Sequence, residues 1–251
     1  MTDLLEEARD GGDNVALGSR TRPSMGRRIM RGTGWTLISF GAVVLLYLFY
    51  LLVFTNLETG RAQASLLNQW ELEFGDPNAA LPGEDLGAGA GDTQPVEPGD
   101  AYAAMWFERD GQRIVHEDTL FVVEGVTLNH LRRGPGHFPD SPAPGSPGNV
   151  AISGHRTTYG APFYNLNELE PGDEVHVVDR SLHEWVYEVA ETRVVSPLDV
   201  WVVHDQDPRN VDLPTLTLTT CNPRFSAAQR LIVWAHLVEA DADTADTEVA
   251  A

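Results

Sequence analysis

The chain holds one cysteine, Cys221, at the end of an apolar, strand-like run, Leu213-Pro-Thr-Leu-Thr-Leu-Thr-Thr-Cys221. Arg230 follows nine positions later. His155 stands just after a second such run, Asn149-Val-Ala-Ile-Ser153, and a glycine, where a strand would open into a loop. A lone thiol has no disulfide partner. In an exported protein it is either a small buried apolar residue, the usual fate of a free cysteine, or a reactive group. A thiol, an imidazole and a guanidinium at strand ends have a defined chemical use. The thiolate is the nucleophile, and at a pKa of ~8.5 a cysteine needs a neighbouring imidazolium or guanidinium to favour it at neutral pH. It attacks an acyl carbon and forms a thioester. An imidazolium protonates the leaving amine, and the base so formed deprotonates an incoming nucleophile. An arginine binds the oxyanion or clamps the substrate backbone. Cys221 is the only sulfur ligand and no His/Cys spacing resembles a zinc motif, so no metal or cofactor is expected. His116, His176, His183, His204 and His236 read as strand or surface residues.

The elements that would position this trio follow an apolar segment. Residues 35–54, Trp35 to Phe54, contain no charge. Twenty helical residues at ~1.5 Å rise span about 30 Å, the thickness of a bilayer core. Between Asn14 and Gly34 there are five arginines and no acid. That flank predicts a cytoplasmic N-terminus, a single-pass anchor in the cell membrane and an extracellular remainder. A cleaved signal peptide is the alternative, with a small-x-small site at Ala62-Gln63-Ala64, but the apolar run exceeds a typical signal core. Net charge is +1 over residues 1–54 and −21 over residues 55–251, with no lysine anywhere. Such an exterior excludes a nucleic-acid partner, which needs a basic surface.

The sequence divides into a polar tail at 1–34, the anchor at 35–54, a stalk and linker at 55–100, a domain at 101–239 and an acidic tail at 240–251. Asn56 to Phe74 has helical apolar spacing; Gly75 to Asp100 is rich in Gly, Pro, Ala and acids and reads as flexible. Within the domain, short apolar runs at Leu120–Val123, Val150–Ser153, Glu174–Val178, His183–Val195, Leu213–Cys221 and Leu231–Val238 are separated by Gly, Pro and Asn. They predict a mostly antiparallel sandwich or barrel. Short helices are expected at Thr127–Arg133 and Ala161–Leu169. Arg133 to Gly148, with five prolines and four glycines, reads as a loop.

Thr217-Leu-Thr-Thr-Cys221 with Arg230 downstream resembles the signature of the sortases, and Gly148-Asn-Val-Ala-Ile-Ser-Gly-His155-Arg-Thr resembles their histidine strand. The resemblance runs from about Leu120 to Leu237. It includes Leu131-Arg-Arg-Gly-Pro-Gly-His137 and Pro162-Phe-Tyr-Asn-Leu-Asn-Glu-Leu-Glu-Pro-Gly-Asp173. His155-Arg-Thr-Thr-Tyr-Gly-Ala-Pro-Phe163 is most similar to class E sortases of high-GC Gram-positive bacteria. The segment Met105 to His116 departs from the family, lacking the Pro-rich first strand.

The resemblance implies a closed eight-stranded β-barrel with short helices, in which His155, Cys221 and Arg230 meet in one groove. It implies a cysteine transpeptidase. Such an enzyme cleaves a C-terminal sorting signal (Leu-Ala-x-Thr-Gly or Leu-Pro-x-Thr-Gly) between Thr and Gly. It then passes the secreted protein to an amine of a lipid II-type peptidoglycan precursor. Thr219, Thr220, Tyr159 and Phe163 are the candidate substrate contacts, with ordinary barrel packing as the alternative for the aromatic residues. Three rivals stand beside it: an extracellular cysteine peptidase using water, a pilin-polymerising sortase and a non-catalytic adhesion domain. An L,D-transpeptidase-like enzyme is disfavoured because its Ser-x-Gly-Cys context is absent.

Overall fold

The computed structural model describes residues 25–82, 95–204 and 214–238. The expectations for residues 1–24, for the linker over 83–94, for Leu213 and for the tail from Glu239 fall outside the described residues. The described residues fall into two compact units that divide between Tyr47 and Leu48. In the first, helix α1 (Met25–Phe49) buries none of its residues and is long and apolar enough to cross a membrane. The second begins with a π-helical stretch, Tyr50–Phe54, and helix α2 (Thr55–Glu73).

A short strand β1 (Leu81–Pro82) comes next, then β2 (Ala101–Arg109), β3 (Gln112–Arg113) and β4 (Leu120–Glu124). The one-turn helix α3 (Leu128–Leu131), with Thr127 as its N-cap, leads to β5 (Gly136–His137) and β6 (Asn149–Ser153). After a looped segment come β7 (Glu174–Val178), β8 (His183–Val195), β9 (Thr215–Asn222) and β10 (Gln229–Leu237). Eight of these strands close a ring in the order β8-β10-β9-β6-β5-β4-β2-β7 and back to β8. Strands β1 and β3 attach outside the ring, on β8 and β2. The fold is the expected closed eight-stranded barrel, though β6–β9 and β4–β5 pair parallel rather than antiparallel.

The barrel is filled by alternate residues of its strands, among them Met105 and Phe107 of β2, Ile152, Val175, Trp185, Leu216, Leu218 and Val233. The other face of β2 is buried too. Ala101, Ala104 and Trp106 lie under Leu66 and Trp70 of α2, together with Phe121 and Val178. Burying Leu66 alone contributes roughly 1.5–3 kcal/mol. A strand covered on both faces shows no apolar/polar alternation, which is why Ala101–Arg109 has no strand signal of its own in the sequence.

Residues 56–74, expected as a stalk, therefore pack as a helix against the outside of the barrel. The α2 contact is polar toward the helix start. The Gln63 amide donates to Phe121 O (2.9 Å) and Arg133 O (2.8 Å) and accepts from Phe121 N–H (2.8 Å). Strand β5 pairs with β4 only at Val123 and Glu124. Gln63 thus supplies the partners that a strand would have given Phe121, as any buried backbone group requires. Apart from a short 3-10 turn, Leu166–Glu168, the segment 161–169 is not helical. Ala161 has φ 45°, and Phe163 N–H bonds back to His155 O (3.1 Å) instead of entering a helical ladder.

Candidate active site

The register of three strands assembles the site. Strands β6 and β9 run parallel with Ser153 opposite Thr219. His155 lies two residues past Ser153, and Cys221 two past Thr219, so both emerge at the same end of neighbouring strands. Strand β10 runs antiparallel to β9 with Arg230 directly opposite Cys221. Residues far apart in sequence thus share one rim of the barrel. Cys221 is a free, half-buried thiol.

The junction between β6 and β9 is locked below the rim. Gly154 N–H donates to Thr219 O (3.1 Å), and the buried Thr220 hydroxyl donates to Gly154 O (2.7 Å). A β-carbon on Gly154 would lie 2.6 Å from Cδ2 of Phe163, whose side chain is fully buried in the barrel core. Phe163 also meets Phe107 edge-on at 6.2 Å. These positions show the surroundings of three candidate substrate contacts. Phe163 is a core residue that fixes the turn into His155 and offers no exposed surface. Thr219 and Thr220 are buried at 7% and 2% exposure, and Thr220 spends its hydroxyl on the histidine strand. Sequence could not separate these roles, because a residue beside a catalytic group is equally suited to touch substrate or to hold that group.

His155 is half-buried, and its Nε2 is enclosed without a hydrogen-bond partner among the described residues. The Tyr159 ring tilts against the imidazole at 5.0 Å, and the Arg132 guanidinium lies over the Tyr159 ring at 5.4 Å. Burial, and secondly the charge of Arg132, push the imidazole below the ordinary histidine pKa. At neutral pH the ring is therefore uncharged and able to take a proton.

Nothing in the sequence assigns Arg156 a role, yet three side-chain hydrogen bonds tie it into the site. It is 5% exposed. Its Nη1 donates to Cys221 O (3.2 Å) and Asn222 Oδ1 (2.7 Å), and its Nη2 to Asn167 Oδ1 (2.8 Å). Desolvation, and next the Arg224 charge, lower its pKa. Arg156 holds the Cys221 backbone, and its only sequence signal is adjacency to His155. Arg224 reinforces the same corner, bonding Asn165 and Asn167 and stacking over Tyr164 at 4.1 Å. Arg230 is half-buried, and its Nη1 caps the turn after Cys221 through Ala227 O (3.0 Å) and Gln229 O (2.9 Å).

One group of converging carboxylate and imidazole atoms occurs among the described residues, Glu108, Glu174 and His176. It lies on β2 and β7, across the ring from β9. Glu184 bonds His176 Nδ1 at 2.7 Å. The cluster is accounted for as contacts of His176 with Glu108, Glu174 and Glu184, which raise its pKa against the opposing effect of burial.

A family model described as the sortase domain matches residues 115–238. The chain is also 33% identical over 229 residues to a sortase E1 of Streptomyces coelicolor, covering 83% of this chain and 57% of that one. The chain belongs to the sortase family. Among sortases it is class E-like, and the family is one of cysteine transpeptidases. A sortase D of Bacillus subtilis is 35% identical over 123 residues, covering 47% of this sortase and 58% of the relative. The sortase thus spans a little over half the length of these two curated relatives. A solved Clostridium perfringens sortase D5 transpeptidase is 27% identical with a TM-score of 0.54, covering 71% of this chain and 99% of that one.

Proposed function

We propose that this sortase cleaves a C-terminal sorting signal between Thr and Gly and transfers the protein to an amine of the peptidoglycan precursor. The observation that carries the reading is the strand register that brings His155, Cys221 and Arg230 to one rim. Cys221 Sγ attacks the Thr carbonyl carbon as its proton passes to the neutral His155 ring. The imidazolium then protonates the leaving glycine amine, and the C–N bond breaks to leave a thioester on Cys221. His155, neutral again, takes a proton from the incoming amine as that nitrogen attacks the thioester. The second tetrahedral intermediate expels the Cys221 sulfur, which recovers its proton from the imidazolium. Arg230 faces the developing oxyanion from β10, and Arg156 keeps the Cys221 backbone still beneath it. Helix α1 is the membrane anchor, and the arginines before it keep the N-terminus cytoplasmic and the barrel outside. Tyr159 borders the position of the second signal residue, where its hydroxyl can accept an N–H that alanine has and proline lacks.

The test is incubation of the full chain with Leu-Ala-x-Thr-Gly and Leu-Pro-x-Thr-Gly peptides, with and without an amine acceptor, followed by mass spectrometry. Ligated product and an acyl adduct on Cys221 are expected, and both vanish in Cys221→Ala. Cleavage with no ligation at any amine concentration would replace transfer by hydrolysis. Undiminished ligation by Cys221→Ala would refute the nucleophile.

A further inference from the structure

Helix α2 directs its polar side chains at the loops that surround the imidazole. Thr55 and Thr59 are 2% and 4% exposed, an unusual burial for threonines on the outside of a barrel. Thr55 Oγ1 accepts from Tyr159 N–H (3.4 Å) and Asn56 Oδ1 accepts from Gly160 N–H (3.0 Å). Thr59 Oγ1 donates to Arg132 O (2.7 Å). The recipients are the two segments that flank His155 with side chains, Tyr159 directly and Arg132 behind it.

The loop so held would not hold itself. Tyr159, Gly160 and Ala161 have φ of 53°, 73° and 45° in succession. Two of the three carry β-carbons, and left-handed backbone is disfavoured for such residues. It persists only where the surroundings impose it. The α2 acceptors satisfy two of the three N–H groups, and Thr59 fills the space beside Gly160, where a β-carbon would come within 2.9 Å of its methyl.

We propose that Asn56 and Thr59 are positioning residues for His155: helix α2 sets the placement of Tyr159 and Arg132, and through them the surroundings of the catalytic imidazole. This rests on the reading of His155 as the acid and base of the reaction. The groups shown against the ring are Tyr159 of its own loop and the Arg132 charge from the end of α3; Arg156 of that loop, Cys221 on β9 and Arg230 on β10 are the other charged or titratable groups of the same rim. Freeing the loop admits water to the ring and lets Arg132 drift. Both changes favour the imidazolium, since burial and the Arg132 charge are what disfavour it.

The test uses the full chain in detergent micelles, comparing wild type with Asn56→Leu, Thr59→Val and Asn56→Asp. Two profiles are measured against pH: kcat/KM for the sorting peptide, and the rate of Cys221 alkylation by iodoacetamide, which needs no peptide. Asn56→Leu and Thr59→Val should lose about tenfold to a hundredfold in kcat/KM, the scale of a small misplacement of a catalytic group. Their His155-dependent inflection should move to higher pH in both profiles. Asn56→Asp keeps the acceptor oxygen and should stay near wild type. A uniform loss at every pH with the inflection unmoved, no loss at all, or an Asp variant as impaired as Leu overturns the proposal. A His155→Ala arm separates the two readings. If it leaves the alkylation profile of wild type unchanged, the failure lies with His155 as the partner of Cys221. If it abolishes the inflection while the α2 variants do not shift it, the failure lies with α2.

Discussion

Replacing Gly154 by alanine should damage the enzyme through one contact, and the contact can be isolated. A β-carbon there would lie 2.6, 2.8 and 2.9 Å from Cδ2, Cε2 and Cγ of Phe163. The Phe163 ring is fully buried, so it cannot swing out to solvent. Overpacking of this kind costs about 1–3 kcal/mol. For a domain of this size that lowers Tm by roughly 2–4 °C for each kcal/mol. The activity loss should exceed what stability explains, because the displaced backbone carries His155 as its next residue. Misplacement of a catalytic group by about 1 Å costs around 100-fold. The assay is a double-mutant cycle with Phe163→Leu, reading chemical denaturation and kcat/KM together. Phe163→Leu alone leaves a gap, while the alanine methyl in the double variant partly fills it. The pair should therefore be better than the sum of the singles by about 0.5–3 kcal/mol. Strict additivity in both readouts would refute the claim that Phe163 is the floor under the turn.

Arg132→Gln removes a charge that disfavours the imidazolium, so the His155 pKa should rise, and the ascending limb of kcat/KM, where the ring becomes the neutral base, should move to higher pH; an unmoved limb would show that burial alone sets it. Arg156→Lys loses the fork that reaches Cys221 O, Asn222 and Asn167 at once; kcat should fall with little change in KM, because the thiol is displaced and the peptide groove is not. His176 behaves oppositely to His155. Burial lowers its pKa, but the Glu184 bond and the charges of Glu184, Glu108 and Glu174 outweigh burial and raise it above 6.5 in the folded state. Its contribution is complete below about 6.5 and is lost as pH climbs through the folded value. The Tm gap between wild type and His176→Gln should accordingly be widest in mild acid and close toward alkaline pH.

Strands β6, β9 and β10, buried along most of their length, were legible as short apolar runs bounded by turn residues, and β7 and β8 because one face lies in the core and one outside. The bounds Glu174–Val178 and His183–Val195 follow from that alternation alone. Strand β2 was not, since α2 covers the face that would otherwise be polar. The inward side of α2 was equally hidden: buried Thr55 and Thr59 and half-buried Gln63 are held by hydrogen bonds to backbone, and no hydrophobic periodicity marks such a stripe. Cys221, His155 and Arg230 could be chosen from residue type and place at strand ends. Arg156 could not, because it acts on a carbonyl 65 positions away. Phe163 illustrates the same limit from the other side: its type fits a groove, and only packing against Gly154 and Phe107 shows that it belongs to the interior.

The Gln63 amide also closes an edge. At Phe121 strand β4 has no neighbour on its outer side, and a bare peptide edge invites another chain to add a strand. Cutting the chain at Ala101 would remove that amide and, with Leu66 and Trp70, uncover Ala104, Trp106 and Phe121 as a contiguous greasy surface beside the open edge. A fragment starting at Ala101 should therefore stick to copies of itself, whereas one starting at Thr55 should stay monodisperse. The smallest well-behaved soluble form should thus begin at the helix, 46 residues before the first strand of the ring.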